Sequence, residues 1–207
     1  MTTIIFVRHG ETLWNRQLRY QGQKDSPLSP AGMDQATKVG EFLRKRAIDA
    51  VYSSDLKRAL FTAERIGELH NLAPTVDPRL REMSFGVWEG KTRSEVAKEY
   101  PELWEARLQN VLTTRIPEGE LPAEVVERFL SFLHEQTQTG QPKDRAIVVV
   151  SHGGALRLVI ASLIHIPLEK SYCLRQSNAG ISEFLCSRKG PDYDWEAVTI
   201  NSTAHLG

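Results

Sequence analysis

The stretch RAIVVVSHGGALRLVIASLI, residues 145–164, changes its period in the middle. Ala146 to Val150 is almost unbroken β-branched sequence, the composition of a strand buried on both faces, and Ala155 to Ile164 suits a helix. Ser151, His152 and Gly153 fall on the strand-to-helix turn. Two further segments repeat the plan. Ile4-Ile5-Phe6-Val7 is a short buried-strand run that stops at Arg8 and His9. IDAVYSSDLKRALFTAERIGEL, 48–69, reads as a strand at Ala50-Val51-Tyr52, an N-cap at Ser53 or Ser54, and a helix with Leu56, Leu60, Ala63 and Ile66 inward. Between them SPLSPAGMDQATKVGEFLRKR, 26–46, supplies a helix with Ser29 as cap and Pro30 at its first position. Strand and helix in alternation imply an α/β fold with a mostly parallel sheet.

Toward the end the rhythm shifts. AGISEFLCS and WEAVTI, separated by Lys189-Gly190-Pro191-Asp192-Tyr193-Asp194, predict an antiparallel pair at or near a sheet edge. Residues 83–145 hold helical patches, KTRSEVAKEYPELWEARLQNVL and PAEVVERFLSFLHEQ, without a strand, and we read them as a helical insertion over one end of the sheet. The 207 residues fit one domain, 1–207, with 41% hydrophobic content to build its core.

Charge excludes some partners. Lys plus Arg (26) balance Asp plus Glu (26), so no global field favours nucleic acid or an acidic membrane, and an anion site must be a local concentration of charge. Cys173 and Cys186 lack the short spacing of a zinc site, no signal peptide is read, and the expected compartment is cytoplasmic. No apolar run reaches the roughly 18 residues of a membrane-spanning helix. Monomer and homodimer are both compatible with the sequence.

In a parallel sheet, ligands bind beyond the carboxyl ends of the strands. The sequence puts a histidine at two such ends, His9 and His152, each followed by glycine, with Arg8 beside the first and Arg58 after a third strand. Guanidinium forks match phosphate oxygens and glycine permits close backbone approach, so the combination predicts a phosphoryl site.

The blocks FVRHGETLWN (6–15), YQGQKDSPLSPAG (20–32), VYSSDLKRALFTA (51–63), RLREMSFGVWEG (79–90) and VVVSHGGALR (148–157) resemble the histidine phosphatase superfamily, in its phosphoglycerate mutase-like branch. The resemblance implies a three-layer α/β/α fold with a six-stranded sheet, one strand of it antiparallel, and a helical lid. It also implies catalysis through a phosphohistidine, with no metal and no cofactor. His9 matches the nucleophile, while Arg8, Arg58 and His152 match the groups that hold the equatorial phosphate oxygens. Asn15, Gln21 and Gly22 match neutral donors that complete the cradle. Glu82 matches the proton donor, a carboxyl that starts protonated; the alternative from the residues alone is a carboxylate paired with Arg79 or Arg81. Glu11 is expected to orient the loop, Trp88 and Phe85 to pack the insertion on the core, and His205 to lie in a frayed end. His70, His134 and His165 have no ligand partners at useful spacing.

The stretch from Met83 to Ser151 is short for a mutase lid, and YQGQKDSPL and FGVWEGKT look more like the α-ribazole phosphatase and broad-specificity phosphomonoesterase members. The expected activity is hydrolysis of a small phosphorylated metabolite. Phosphoglycerate mutase is the alternative, and an inactive phospholigand-binding domain ranks below both. One departure from many relatives is PEGELPAEV, 117–125, where Leu121-Pro122 alters a Gly-Gly-Glu-Ser turn and bears on substrate selection.

Overall fold

The computed structural model describes residues 1–138, 144–189 and 192–207. In chain order it contains β1 (Thr2–Arg8), α1 (Leu13–Arg16), α2 (Pro30–Leu43), β2 (Ala50–Ser53), α3 (Lys57–Glu68), β3 (Thr75–Val76), α4 (Arg93–Glu99), α5 (Pro101–Gln109), α6 (Pro122–Thr137), β4 (Arg145–Ser151), α7 (Gly153–Leu163), β5 (Ile181–Lys189) and β6 (Asp192–Ser202). The sheet order is β3-β2-β4-β1-β5-β6. Only β5 runs against the rest, since it pairs antiparallel with both β1 and β6. The terminal pair thus lies at one edge as expected; Gly190 and Pro191 between its strands lie outside the described residues.

β1 and β4 are central, so both faces of each are covered and Ile4, Ile5, Phe6 and Val7 are fully buried. Alternation sends Ile5 and Val7 to a core shared with Val39, Leu43, Ala63 and Ile66 of α2 and α3. Ile4 and Phe6 face the opposite core, shared with Phe129, Phe132 and Val159 of α6 and α7. This is a three-layer α/β/α arrangement. The stretch read as an insertion therefore divides: α4 and α5 sit over a small separate cluster of Trp88, Val96 and Ile116, whereas α6 is a layer helix of the main core.

Two local expectations are corrected. Ser29 caps α2 as predicted, its Oγ accepting from Gly32 N, but neither Ser53 nor Ser54 caps α3. That helix begins three residues later than Ser54, and Asp25 reaches over from the preceding loop to accept from Lys57 N at 3.0 Å. The shift turns Ala59 inward and leaves Leu60 half-buried.

The register of β1 on β4 positions the rest. Arg8 is opposite Ser151, so His9 and His152 leave the ends of neighbouring strands side by side, and His9 N donates to Ser151 O at 3.0 Å.

Candidate active site

Both histidines are enclosed. His9 is 2% exposed and His152 fully buried, with their ring centroids 5.1 Å apart and the planes tilted by 60°. His9 Nδ1 lies 2.7 Å from Gly10 O. A carbonyl only accepts, so Nδ1 carries the proton and Nε2 is left with a free lone pair. Among the described residues neither ring nitrogen of His152 has a hydrogen-bond partner. Burial holds both imidazoles well below 6.5, reinforced at His9 by Arg58 and then Arg8, and at His152 by Arg58, His9 and Arg8. His9 therefore stays neutral at physiological pH.

The two guanidiniums are tethered yet retain free donors. Arg8 gives Nη1 to Gln176 O at 2.6 Å. Arg58 gives its Nη groups to Gly22 O (2.6 Å), Lys24 O (2.8 Å) and Asp25 Oδ1 (3.0 Å). The Nε of each is buried and, among the described residues, unpartnered. Desolvation lowers the pKa of both, Arg8 to about 10, so each remains charged near neutrality. Two fixed cations with open N–H groups beside two unprotonated imidazoles make a place for a dianion with no bound counter-charge of its own.

Gly22 stands at φ 55°, and a Cβ there would meet Glu89 Oε1 at 1.9 Å. Glu89 accepts from Gln23 N (2.9 Å) and Lys24 N (3.1 Å), fixing the loop onto which Arg58 is tied. The same loop brings Gln21 into the site, its Oε1 accepting from Thr12 Oγ1. Asn15 Oδ1 accepts from Thr12 N and from Asn178 Nδ2, which turns its amide NH₂ outward from that cluster. Glu11 takes the Ser29 hydroxyl at 2.7 Å and so joins the His9 loop to α2.

Glu82 is not paired with its flanking arginines. Arg79 binds Asp77 and Glu135, and Arg81 binds Asp55. The Glu82 carboxyl instead sits on the amino end of α7, with Oε2 accepting from Gly154 N (2.9 Å) and Oε1 from Ala155 N (2.8 Å) and Met83 N (2.9 Å). Oε1 holds two amides and Oε2 one, so Oε2 is the oxygen with room for a proton. Glu82 also acts electrostatically on both Arg8 and Arg58, which places it at the same site.

A family model described as histidine phosphatase superfamily (branch 1) matches residues 4–201. The chain belongs to that superfamily. A probable phosphoglycerate mutase of Erwinia tasmaniensis is 36% identical over 208 residues, covering all of this chain and 95% of that protein. Among solved structures, a putative α-ribazole phosphatase from Escherichia coli superposes with a TM-score of 0.88 at 28% identity, over 97% of this chain and 96% of that one. A mycobacterial glucosyl-3-phosphoglycerate phosphatase superposes with a TM-score of 0.83 at 30% identity, over 97% and 99%.

In this member of the superfamily all eight residues singled out from sequence are near one end of the sheet, at the ends of β1 and β4, on α1, in the first turn of α3 and on the loops that follow α1 and β3. Sequence reasoning missed the braces. Arg128 of α6 donates to the carbonyls of Arg79 (2.6 Å), Arg81 (2.8 Å) and Glu82 (3.0 Å), and Glu120 accepts from Arg128 Nε and from Ser84 N, both at 2.8 Å. Glu120, within the altered PEGE turn, thus holds the Glu82 loop in place. Asn178 donates to His9 O at 3.3 Å from the turn ahead of β5. Of the other histidines, His134 stacks on Tyr193. His205 is not in a frayed end: residues 204–206 form a 3₁₀ turn, and its ring rests 5.4 Å from Phe42. Trp88 is packed under α5, as expected, and Phe85 packs on Tyr20 beside it.

Proposed function

We propose that this protein is a cytoplasmic phosphomonoester hydrolase that works through a phosphohistidine on His9. The observation that carries the reading is the Nδ1–H of His9 held on Gly10 O, which leaves Nε2 neutral and unshared between Arg8, Arg58 and His152. Nε2 attacks phosphorus as the P–O bond to the alcohol breaks, and the departing oxygen takes the proton of Glu82. Arg8, Arg58, His152, Asn15 and the Gln21-Gly22 loop hold the three equatorial oxygens, where transition-state charge is spread. Glu82, now a carboxylate, then removes a proton from water; the water oxygen bonds to phosphorus, the N–P bond breaks, and neutral His9 is restored with release of phosphate.

Hydrolysis is favoured over transfer by the surroundings of the acid. The cavity of about 460 Å³ beside Gly154 is bordered by Tyr172 (72% exposed) and Leu108 (63%), so solvent meets it directly. The names of the curated relatives favour the second reading, a phosphoglycerate mutase. The test is a panel of radiolabelled phosphomonoesters, scored for free phosphate, for acid-labile protein-bound label and for interconversion of phosphoglycerates primed by bisphosphoglycerate. Release of phosphate outrunning interconversion, with label absent from His9→Ala, is expected. Interconversion outrunning hydrolysis would establish the mutase, and full turnover by His9→Ala would remove the phosphohistidine.

A further inference from the structure

From His9 to Glu11 every backbone donor and acceptor is used. His9 N donates to Ser151 O (3.0 Å), and His9 O accepts from Ala179 N (3.2 Å) and Asn178 Nδ2 (3.3 Å). Gly10 N donates to Thr62 Oγ1 at 3.2 Å and Glu11 N to Gln35 Oε1 at 2.9 Å. Glu11 O accepts from Ser29 N (2.8 Å), and Gly10 O takes the proton of His9 Nδ1 at 2.7 Å. Among the described residues two of these amides depend on one side chain each: Gly10 N on Thr62, fully buried in α3, and Glu11 N on Gln35, half-buried in α2.

Those two side chains set the direction of a carbonyl. Thr62 gives its single hydroxyl proton to Arg58 O, four residues back on the same helix (3.2 Å), so its oxygen meets Gly10 N as an acceptor. The His9–Gly10 peptide is thereby held at both ends, by Thr62 on its N–H and by Ala179 and Asn178 on its C=O. The Gly10–Glu11 peptide has Gln35 on its N–H and the imidazole on its C=O, and a bond at the N–H polarises the carbonyl into a better acceptor. There is no slack toward α2 either, since a Cβ at Gly10 would lie 2.2 Å from Gly32 O.

A neutral imidazole carries its one proton on either nitrogen, and the hydrogen bond made by the first decides the state of the second. Gly10 O is the acceptor that keeps the proton of His9 on Nδ1, and two fixed peptide planes aim it there. We infer that Thr62 and Gln35 are positioning residues for the nucleophile, a clamp that turns Gly10 O onto Nδ1 and so keeps the lone pair on Nε2. The consequence for rate rests on the phosphohistidine reading, whereas the tautomer is read without substrate.

Protein carrying ring-¹⁵N histidine reports that tautomer by NMR, with the His9 signals identified by their loss in His9→Ala. The unaltered protein should show a protonated, pyrrole-type Nδ1 and a bare, pyridine-type Nε2. Thr62→Val and Gln35→Met, close in shape and lacking the acceptor, should draw the two shifts together as the Nε2–H tautomer gains population, and Thr62→Ser should restore the unaltered pattern. Single-turnover phosphorylation by p-nitrophenyl phosphate, whose leaving group needs no proton, should slow by about 10-fold in Thr62→Val and recover in Thr62→Ser. The Kd of inorganic phosphate, by calorimetry, should change by less than about threefold, because a clamp acts on the nucleophile and a loosened site would lose affinity as well. Should Thr62→Val fail to fold, Gln35→Met carries the test. An Nε2–H tautomer in the unaltered protein, unchanged shifts in every variant that folds, or slowing matched by an equal loss of phosphate affinity would overturn the inference. Shifted nitrogens with an undiminished rate would uphold the clamp and refute attack by His9.

Discussion

Glu82 Oε2 accepts the Gly154 N–H at 2.9 Å, which joins the loop bearing the proposed acid to the helix that begins right after His152. Because α7 starts where β4 ends, the β1–β4 register that sets the two imidazoles side by side also sets the carboxyl against them. Three backbone amides fix the carboxyl from one side, and Arg128 and Gln23 hold its own carbonyl from the other. The side chain thus needs little ordering when a substrate arrives.

Leaving-group chemistry isolates the proton donor. Glu82→Gln keeps the shape and removes the proton, which matters for an aliphatic alcohol and little for p-nitrophenolate. Single-turnover phosphorylation should slow by roughly 10²-fold or more with alkyl phosphates and far less with p-nitrophenyl phosphate. Equal slowing with both would make Glu82 a structural carboxylate.

The positive charge at the proposed phosphate site belongs to Arg8 and Arg58, fixed in the chain. Among the described residues no group of three or more His, Cys, Asp and Glu is gathered to hold a metal ion. Turnover of p-nitrophenyl phosphate should therefore withstand saturating chelator. A loss that Mg²⁺ or Zn²⁺ restores would show that a divalent ion shares the work.

Burial of neutral imidazoles has a cost that depends on pH. His9 and His152 are held well below 6.5 when folded, so below about 6.5 the unfolded chain takes up protons that the folded protein refuses. Their depressed values therefore leave stability intact above that pH and erode it as pH falls, by about 1.4 kcal/mol per pH unit for each group until its folded pKa is reached. His152→Asn should flatten the urea-unfolding free energy against pH by the slope of one group between about pH 6.5 and 5. An unchanged slope would mean that His152 is protonated in the folded state.

The parts of the site that stood out in sequence are those whose signal is local. A run of β-branched residues ending in His-Gly is visible within ten residues, and both histidines sit where it places them. The braces are not local. Arg128 is one of several charges along an amphipathic helix, and nothing within reach of it in sequence points to carbonyls 46 to 49 residues away. The cap of α3 is non-local too, since Asp25, 32 residues ahead of Lys57, replaces the nearby serines. In sequence α6 is indistinguishable from the insertion, because an apolar helical face has the same period whether it meets a cap or the central sheet. The two residues of β3 are too few to carry a period at all.

The last prediction separates placement of the acid from its chemistry. A Cβ added at Gly154 would lie 2.6 Å from Glu82 Oε1. The atom it meets is the end of a side chain rather than backbone, so the clash is relieved by moving the carboxyl off the amides that hold it. Alanine also raises helix propensity over glycine by up to about 1 kcal/mol. Gly154→Ala should thus shift Tm little, the propensity gained offsetting the amide bonds loosened, while phosphorylation by alkyl phosphates slows by about 10-fold, equivalent to about 1.4 kcal/mol of barrier. With p-nitrophenyl phosphate the loss should be small, as for Glu82→Gln. Since both changes act on one proton transfer, adding Gly154→Ala to Glu82→Gln should cost little more, a non-additivity that a double-mutant cycle reads directly. Additive losses would mean that Gly154 serves the phosphate rather than Glu82.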